Sequence, residues 1–275
     1  MNRFPRLPRV QFTACGCRVL AALLAALALF GAASLGAAHE QAREKKKAPA
    51  PPVPAKVPFA PGERLDYAVQ WNRTLTAATV RLAVTERREF FGSQAWHFQA
   101  TAQTIDPLRR IFTLDDQFDS YTDAITLESH QYESYLREQG KREDLVVPMA
   151  TQSQSGRANR RVYVVFPGTT DPLGMIYRLR PLDWKSSPEA RLRLFDGRKF
   201  YDIEARREAL GTPVTVAAGT FAATRIALRI LQDGVELPNL KLWVSLSEDA
   251  AHTPVLIEAE ASIGTVRAEL TAHTP

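Results

Sequence analysis

The chain is 275 residues long, 45% hydrophobic and 24% charged, with a formal net charge of +5 and two cysteines. The basicity suggests a nucleic-acid binder and the cysteines suggest a disulfide. The positions of these residues along the chain argue against both.

Arg3, Arg6, Arg9 and Arg18 surround the approach to an apolar run, Val19 to Ala33, which ends in the small residues Ser34, Gly36, Ala37 and Ala38. Basic, then apolar, then small is the pattern of a secretory signal peptide, with cleavage expected after Ala38. The run is about 15 residues, short of the ~20 that span a bilayer. The expectation is an exported, periplasmic protein with a signal peptide over residues 1–38; retention of that segment as a membrane anchor is the alternative. Cleavage removes Cys15 and Cys17. The mature chain then has no thiol for a disulfide, for nucleophilic catalysis or for a metal. A lipid-modified cysteine would follow the apolar run, and none does.

Residues 39–57 hold a Lys45-Lys46-Lys47 run and four prolines, with no aromatic residue. Such a composition buries too little apolar area to offset its ordering entropy, so this segment is expected as a disordered linker. Its prolines favour an extended chain. Membrane contact is expected only if the signal segment is retained, or through this Lys-rich linker. Residues 1–38 carry four cations and no acid; residues 39–57 carry five cations and two acids. Residues 58–275 therefore carry a net −2. The basic character belongs to the targeting segment and the linker, and no nucleic-acid partner is expected.

Residues 58–275 are expected to form a single β-rich domain. Alternate residues are apolar in Leu65-Tyr67-Val69-Trp71, Val80-Leu82-Val84 and Trp96-Phe98-Ala100. The same alternation recurs in Ile226-Leu228-Ile230, Leu240-Leu242-Val244-Leu246, Val255-Ile257-Ala259 and Val266-Ala268-Leu270. A period of two with one apolar face predicts antiparallel strands. Gly92, Gly140, Gly197, Gly219 and Gly234 mark turns between runs. Ala150–Asn159 is polar and unpatterned and predicts a long surface loop. One helix stands out, over residues 171–180: Asp171 suits its N-cap, Pro172 its first turn, and Pro181 stops it. Leu173, Ile176, Tyr177 and Arg180 are expected to share one face. About twelve strands with so little helix predict a mainly β fold. The expected form is a large curved antiparallel sheet or incomplete β-barrel, with one or two short helices plugging its concave side.

No catalytic constellation emerges. The histidines of the domain are His97, His130, His252 and His273, and no Gly-x-Ser-x-Gly elbow accompanies them. His97 alternates with Trp96 and Phe98 and is expected to face solvent. No histidine pair has metal spacing, and Asp115, Asp116 and Asp119 lack a calcium-loop pattern. No metal or cofactor is expected. Asp66, Asp116, Asp119 and Asp249 are the pool from which a carboxylate pair would be drawn. Trp71, Trp96, Tyr177 and Trp243 are candidates to line an apolar ligand site, with plain core as the competing role. Asp171 is expected as a structural cap, and Arg180 as a ligand contact or as the partner of a buried carboxylate.

Several segments resemble a bacterial family known as domain of unknown function 3108. Pro58-Phe59-Ala60-Pro61-Gly62-Glu63-Arg64-Leu65-Asp66-Tyr67 is similar to its opening, in which a Gly-Glu pair leads into a first strand with Tyr and then Trp, here Trp71. Phe118-Asp119-Ser120-Tyr121 resembles its acidic-aromatic strand, and Asp171 to Arg180 its Asp-Pro-Leu helix. Leu242-Trp243-Val244-Ser245, Asp249, Pro254-Val255 and Ile263-Gly264 resemble its C-terminal strands. Thr76-Ala77-Ala78-Thr79 departs from it, lacking a glycine seen in many relatives. The resemblance implies an envelope protein whose curved sheet is similar to the lipoprotein-localisation fold. Function is not implied by fold. The reading is a non-enzymatic protein that binds an apolar ligand or an envelope partner on its curved sheet. The alternative is a carboxylate-dependent enzyme acting on envelope polysaccharide or peptidoglycan.

Overall fold

A computed structural model describes residues 56–155, 161–262 and 264–275. The signal and linker expectations fall on residues that lie outside these, apart from Lys56 and Val57. The first half of the described chain is a meander of β1 (Arg64–Trp71), β2 (Leu75–Phe90), β3 (Ser93–Thr104), β4 (Asp115–Asp123), β5 (Ser129–Glu138) and β6 (Lys141–Thr151). A helical turn, α1 (Gln152–Ser155), and the short strands β7 (Tyr163–Val165) and β8 (Thr169–Thr170) follow. After helix α2 (Pro172–Leu179) come β9 (Glu189–Phe195), β10 (Phe200–Val216) and β11 (Gly219–Gln232). The chain ends with β12 (Val235–Glu236), β13 (Lys241–Ser247), β14 (Pro254–Ala261) and β15 (Gly264–Thr274).

All fifteen strands form one sheet, and β1 pairs with β15, so the two ends of the domain are hydrogen-bonded together. The sheet curls into a nearly closed barrel. Its one unsealed seam lies in mid-sequence, between β7 and β8 at the two ends of the strand path. Two pairings there differ from the expected antiparallel pattern: β6 with β7 and β8 with β9 are parallel. The chain turns sideways at the seam, and Phe166-Pro167-Gly168 links the two edges covalently. Gly168 donates its N–H to Glu128 (2.9 Å) and accepts from Arg178 (2.7 Å), which holds this link against the barrel. β7, β8 and β12 are two or three residues long, too short for periodicity to register. Within the loop expected over Ala150–Asn159, Ala150 and Thr151 belong to β6 and 152–155 are helical, while 156–159 lie outside the described residues.

Alternation decides what faces inward. Leu65, Tyr67 and Val69 of β1 and Trp96, Phe98 and Ala100 of β3 are buried, and they join Ile226, Leu228, Val244 and Ile257 in one core. Turns occur at the expected glycines, where Gly92, Gly140 and Gly234 adopt the left-handed backbone that a tight hairpin requires.

Helix α2 sits inside this wall. Seven of its eight residues are buried, so it is enclosed on all sides rather than amphipathic at a surface. Phe98 of β3 stacks on Tyr177 of α2, with centroids 3.8 Å apart and planes 5° apart. A Cβ on Gly174 would come within 2.8 Å of Thr170 Oγ1. Only a glycine lets this turn of the helix approach the wall so closely.

Candidate functional site

Two latches fix α2 across the barrel. At its start, one oxygen of Asp171 accepts the N–H groups of Leu173 (2.9 Å) and Gly174 (2.7 Å). The other accepts the hydroxyls of Ser120 on β4 and Ser129 on β5, both at 2.5 Å. The side chain is fully buried. Burial pushes its carboxyl up, and these four donors work against that rise. Asp171 is therefore cap and wall anchor together.

At the other end, Arg180 is completely buried and forks onto Glu63, with contacts of 2.5 and 2.9 Å. It also donates to the carbonyls of Pro58 and Ala251, while His252 Nδ1 donates to the Arg180 carbonyl (2.6 Å). Glu63 opens β1 and His252 precedes β14, so this end of the helix is tied to both halves of the wall. The pair satisfies the condition for burying two charges, bidentate geometry with further hydrogen bonds.

Around this second latch stands a cluster of rings. Phe59 meets Trp96, Phe98 and Tyr177 edge-on at 5.2–5.4 Å. The Arg180 guanidinium lies 5.2 Å from the Phe59 ring. Within this cluster Trp96 Nε1, the Tyr177 hydroxyl and Arg180 Nε are buried donors with no protein hydrogen-bond partner. Burial holds the Tyr177 hydroxyl well above its usual range. Thr253 Oγ1, next to His252, is orphaned in the same way. Buried polar groups are nearly always paired, so orphans gathered around one ring cluster require a reason.

Of the sequence candidates, Trp96, Tyr177 and Arg180 thus come together. Trp71 ends β1 on the inward side, half-buried against the core. Trp243 stands apart on the outward side of β13, under the Arg225 guanidinium (4.9 Å). Phe59 and Glu63 complete the site. Sequence spacing could not reveal their roles, because Glu63 and Arg180 are 117 residues apart.

The four candidate carboxylates do not converge. Asp66 pairs with Arg81 on the outer face (2.6 Å). Asp119, also outward, accepts from His97 (2.7 Å), Gln99 and Gln117. His97 is therefore outward but mostly covered, rather than free in solvent. Asp249 caps the turn after β13, accepting from Ser247 Oγ and Ala251 N. Asp116 is 2% exposed. One of its oxygens accepts from Arg137 N, and the other has no partner. Burial lifts its pKa to about 6.

An open groove of about 580 Å³ crosses the outer wall over β1–β4. Its floor is the cross-strand row Tyr67-Val80-Ala102-Asp116. Side chains of that row point inward, so Asp116 contributes backbone while its carboxyl lies across the sheet from Asp66 and Asp115. Ser93, His130 and Asp123 also approach one another, but His130 meets both through Nε2 (2.9 and 3.5 Å). A relay needs both ring nitrogens, so this is not a serine triad. Among the described residues, no three His, Cys, Asp or Glu side chains are grouped to hold a metal.

The fold is similar to that of several solved structures at low identity. A β-barrel-like protein of domain of unknown function DUF1849 from Brucella abortus aligns with a TM-score of 0.46 and 11% identity, over 79% of this chain and 98% of that one. A candidate exported protein with a YmcC-like fold from Bacteroides fragilis aligns with a TM-score of 0.34 and 13% identity, over 80% and 98%. A candidate lipoprotein from Parabacteroides distasonis gives 0.37 and 9%, over 79% and 98%. No curated protein matches the chain in sequence. The sequence profile described as Protein of unknown function (DUF3108) matches residues 66–271, from β1 into β15, and the chain belongs to that family.

Proposed function

We propose that this chain is an exported, non-enzymatic binding protein of the bacterial envelope. The plugged end of its barrel takes an apolar molecule by an oxygen-bearing group, such as the carbonyl or carboxyl of an acyl chain. The export half of this reading rests on the basic, apolar and small-residue pattern of residues 1–38. The binding half rests on one observation, the orphaned donors of Trp96, Tyr177 and Arg180 within one ring cluster. Each buried donor left unmade costs about 1–3 kcal/mol, which an acceptor oxygen would recover. The Phe59 ring occupies the middle of the cluster, so the apolar part of the ligand enters by displacing it. The carboxylate-enzyme reading draws less support, because Asp116 and its neighbours Asp66 and Asp115 face opposite sides of the sheet.

Native mass spectrometry and solvent extraction of protein purified from the envelope fraction test this. The wild-type protein is expected to release an amphiphile in stoichiometric amount. A Trp96→Phe, Tyr177→Phe double variant is expected to stay folded and release far less. The reading fails if the wild type releases none while the double variant melts at the same or a higher temperature.

A further inference from the structure

The outer face of β3, β4 and β5 carries a grid of planar polar and aromatic side chains. Register places His97, Tyr121 and Gln131 in one cross-strand row, and Gln99, Asp119 and Glu133 in the next. Thr101, Gln117 and Tyr135 form the third row. Their neighbours Phe98 and Ser120 point inward to α2, which fixes these nine as outward.

The second row sets two carboxylates directly opposite each other, a repulsive placement for a sheet. Both are held by amides, an imidazole or a phenol instead of by arginine. Asp119 takes His97, Gln99 and Gln117. Glu133 accepts from Gln131, and from the Tyr135 hydroxyl at 2.5 Å. A carboxylate offers about four acceptor positions; Asp119 is 3% exposed and is filled from within the sheet, while half-buried Glu133 keeps capacity for a hydroxyl donor.

Beside the grid stands a ring platform. Tyr121 stacks on His97 (4.5 Å, 12°), with Phe90 and Phe91 edge-on to it at 4.9 and 5.6 Å. Phe91 is 49% exposed and sits at φ 56°, a conformation unfavourable to a bulky residue. The two-residue hairpin turn Phe91-Gly92 sets this φ and presents the ring to solvent. On the other side, Thr101 and Gln117 also form one wall of the open groove over β1–β4, which is further lined by Thr79, Gln103 and by Asp66, Arg81 and Asp115, whose charges are compensated in the Asp66–Arg81 and Asp115–Arg109 pairs. Grid and groove are thus one continuous surface across five adjacent strands, about 19 Å wide.

We propose that this surface binds a neutral saccharide chain. A sugar ring presents an apolar C–H face and a rim of hydroxyls, each both donor and acceptor. Exposed rings meet the first requirement. The fixed amides of Gln99, Gln103 and Gln117 and the Glu133 carboxylate meet the second. The paired carboxylates disfavour an anionic chain. An ammonium ligand is disfavoured too, since Arg88 already covers Phe90 (4.7 Å). This site is on the outer wall and independent of the interior site proposed above.

The test is titration of the full mature chain with maltohexaose, cellohexaose and fully N-acetylated chitohexaose, and with an oligogalacturonate as the acidic control, followed by NMR. At least one neutral hexamer is expected to bind with a Kd of about 1 mM or tighter, and the acidic one more weakly. Phe91→Ala and Gln103→Ala alter exposed side chains and are expected to fold normally. Phe91→Ala is expected to weaken binding by about tenfold, the usual loss of one aromatic anchor. Arg229→Ala, on the opposite wall, is expected to leave binding unchanged. The proposal is overturned if no neutral hexamer binds by about 10 mM. Preference for the acidic chain, or indifference to both Phe91→Ala and Gln103→Ala, would also overturn it.

Discussion

Asp119 and Glu133 on β4 and β5 are held differently from the outward carboxylates of β10, β11, β14 and β15, and from Asp66 and Asp115, which pair with Arg81 and Arg109. On β10, β11, β14 and β15 acids meet arginines in rows. Arg225 joins Glu208 and Glu258, Arg229 joins Glu204 and Glu236, and Arg267 joins Glu258 and Glu269. On β3, β4 and β5 the acids Asp119 and Glu133 are fed by glutamines, a histidine and a tyrosine. An arginine neutralises its carboxylate; the exposed Arg229 pairs contribute about 0–1 kcal/mol, while Glu258 is buried between Arg225 and Arg267. An amide positions a carboxylate without neutralising it. The ladder wall thus pairs its acids with cations, and the amide wall leaves its acids unneutralised, with the half-buried Glu133 keeping acceptor capacity. The interior serves both walls, because Asp171 ties α2 to β4 and β5 while Arg180 ties it to Glu63 ahead of β1 and to Ala251 ahead of β14.

This comparison sets the expected scale of substitutions. The largest loss belongs to the shared interior. Glu63→Ala strands the buried Arg180 guanidinium and is expected to cost about 3–5 kcal/mol, read by urea unfolding. Both walls should be lost in one transition; separate transitions would show that the latch couples them less than its geometry implies. Next comes the amide wall. Asp119→Ala leaves three donors without their acceptor and is expected to cost about 1–3 kcal/mol.

The pH dependence separates inner from outer acids. Burial raises the Asp119 pKa, but hydrogen bonds from His97, Gln117 and Gln99 outweigh it and hold the group below its ordinary value. Its contribution is therefore present above about pH 4, the unfolded value, and is lost as pH falls further. Asp116 behaves oppositely. Its pKa of about 6 exceeds the unfolded value, so the folded state holds the proton more tightly. Its effect is a loss of stability as pH rises from about 4 to 6. Asp116→Asn keeps the acceptor for Arg137 N. It is expected to flatten that decline and to gain about 1–2 kcal/mol at pH 7, measured as melting temperature against pH. The smallest effect belongs to the ladder wall. Arg229→Ala is expected to cost less than about 1 kcal/mol in urea unfolding, and less still in high salt.

Much of this architecture was legible from alternation alone. Leu65-Tyr67-Val69 and Trp96-Phe98-Ala100 read correctly as inward faces, because a strand's side chains must alternate whatever its neighbours. Helix α2 was legible because Asp171, Pro172 and Pro181 act within a few residues of one another. The parallel pairings at the seam were not, since β7 and β8 are too short for a period to register. Within the candidate site, aromatic character pointed to Trp96 and Tyr177 but equally to Trp243, which faces outward.

By itself the sequence determined the strands and their inward faces, the capped helix and the turns, all of which follow from neighbours within a few residues. Only the tertiary structure decided which residues meet. It put Glu63 against Arg180, Phe59 among the orphaned donors, and Gln99, Asp119 and Glu133 in one row. Register and barrel closure depend on the whole wall at once. A single shift of pairing would carry each of these side chains to another partner, and local composition holds no record of that choice.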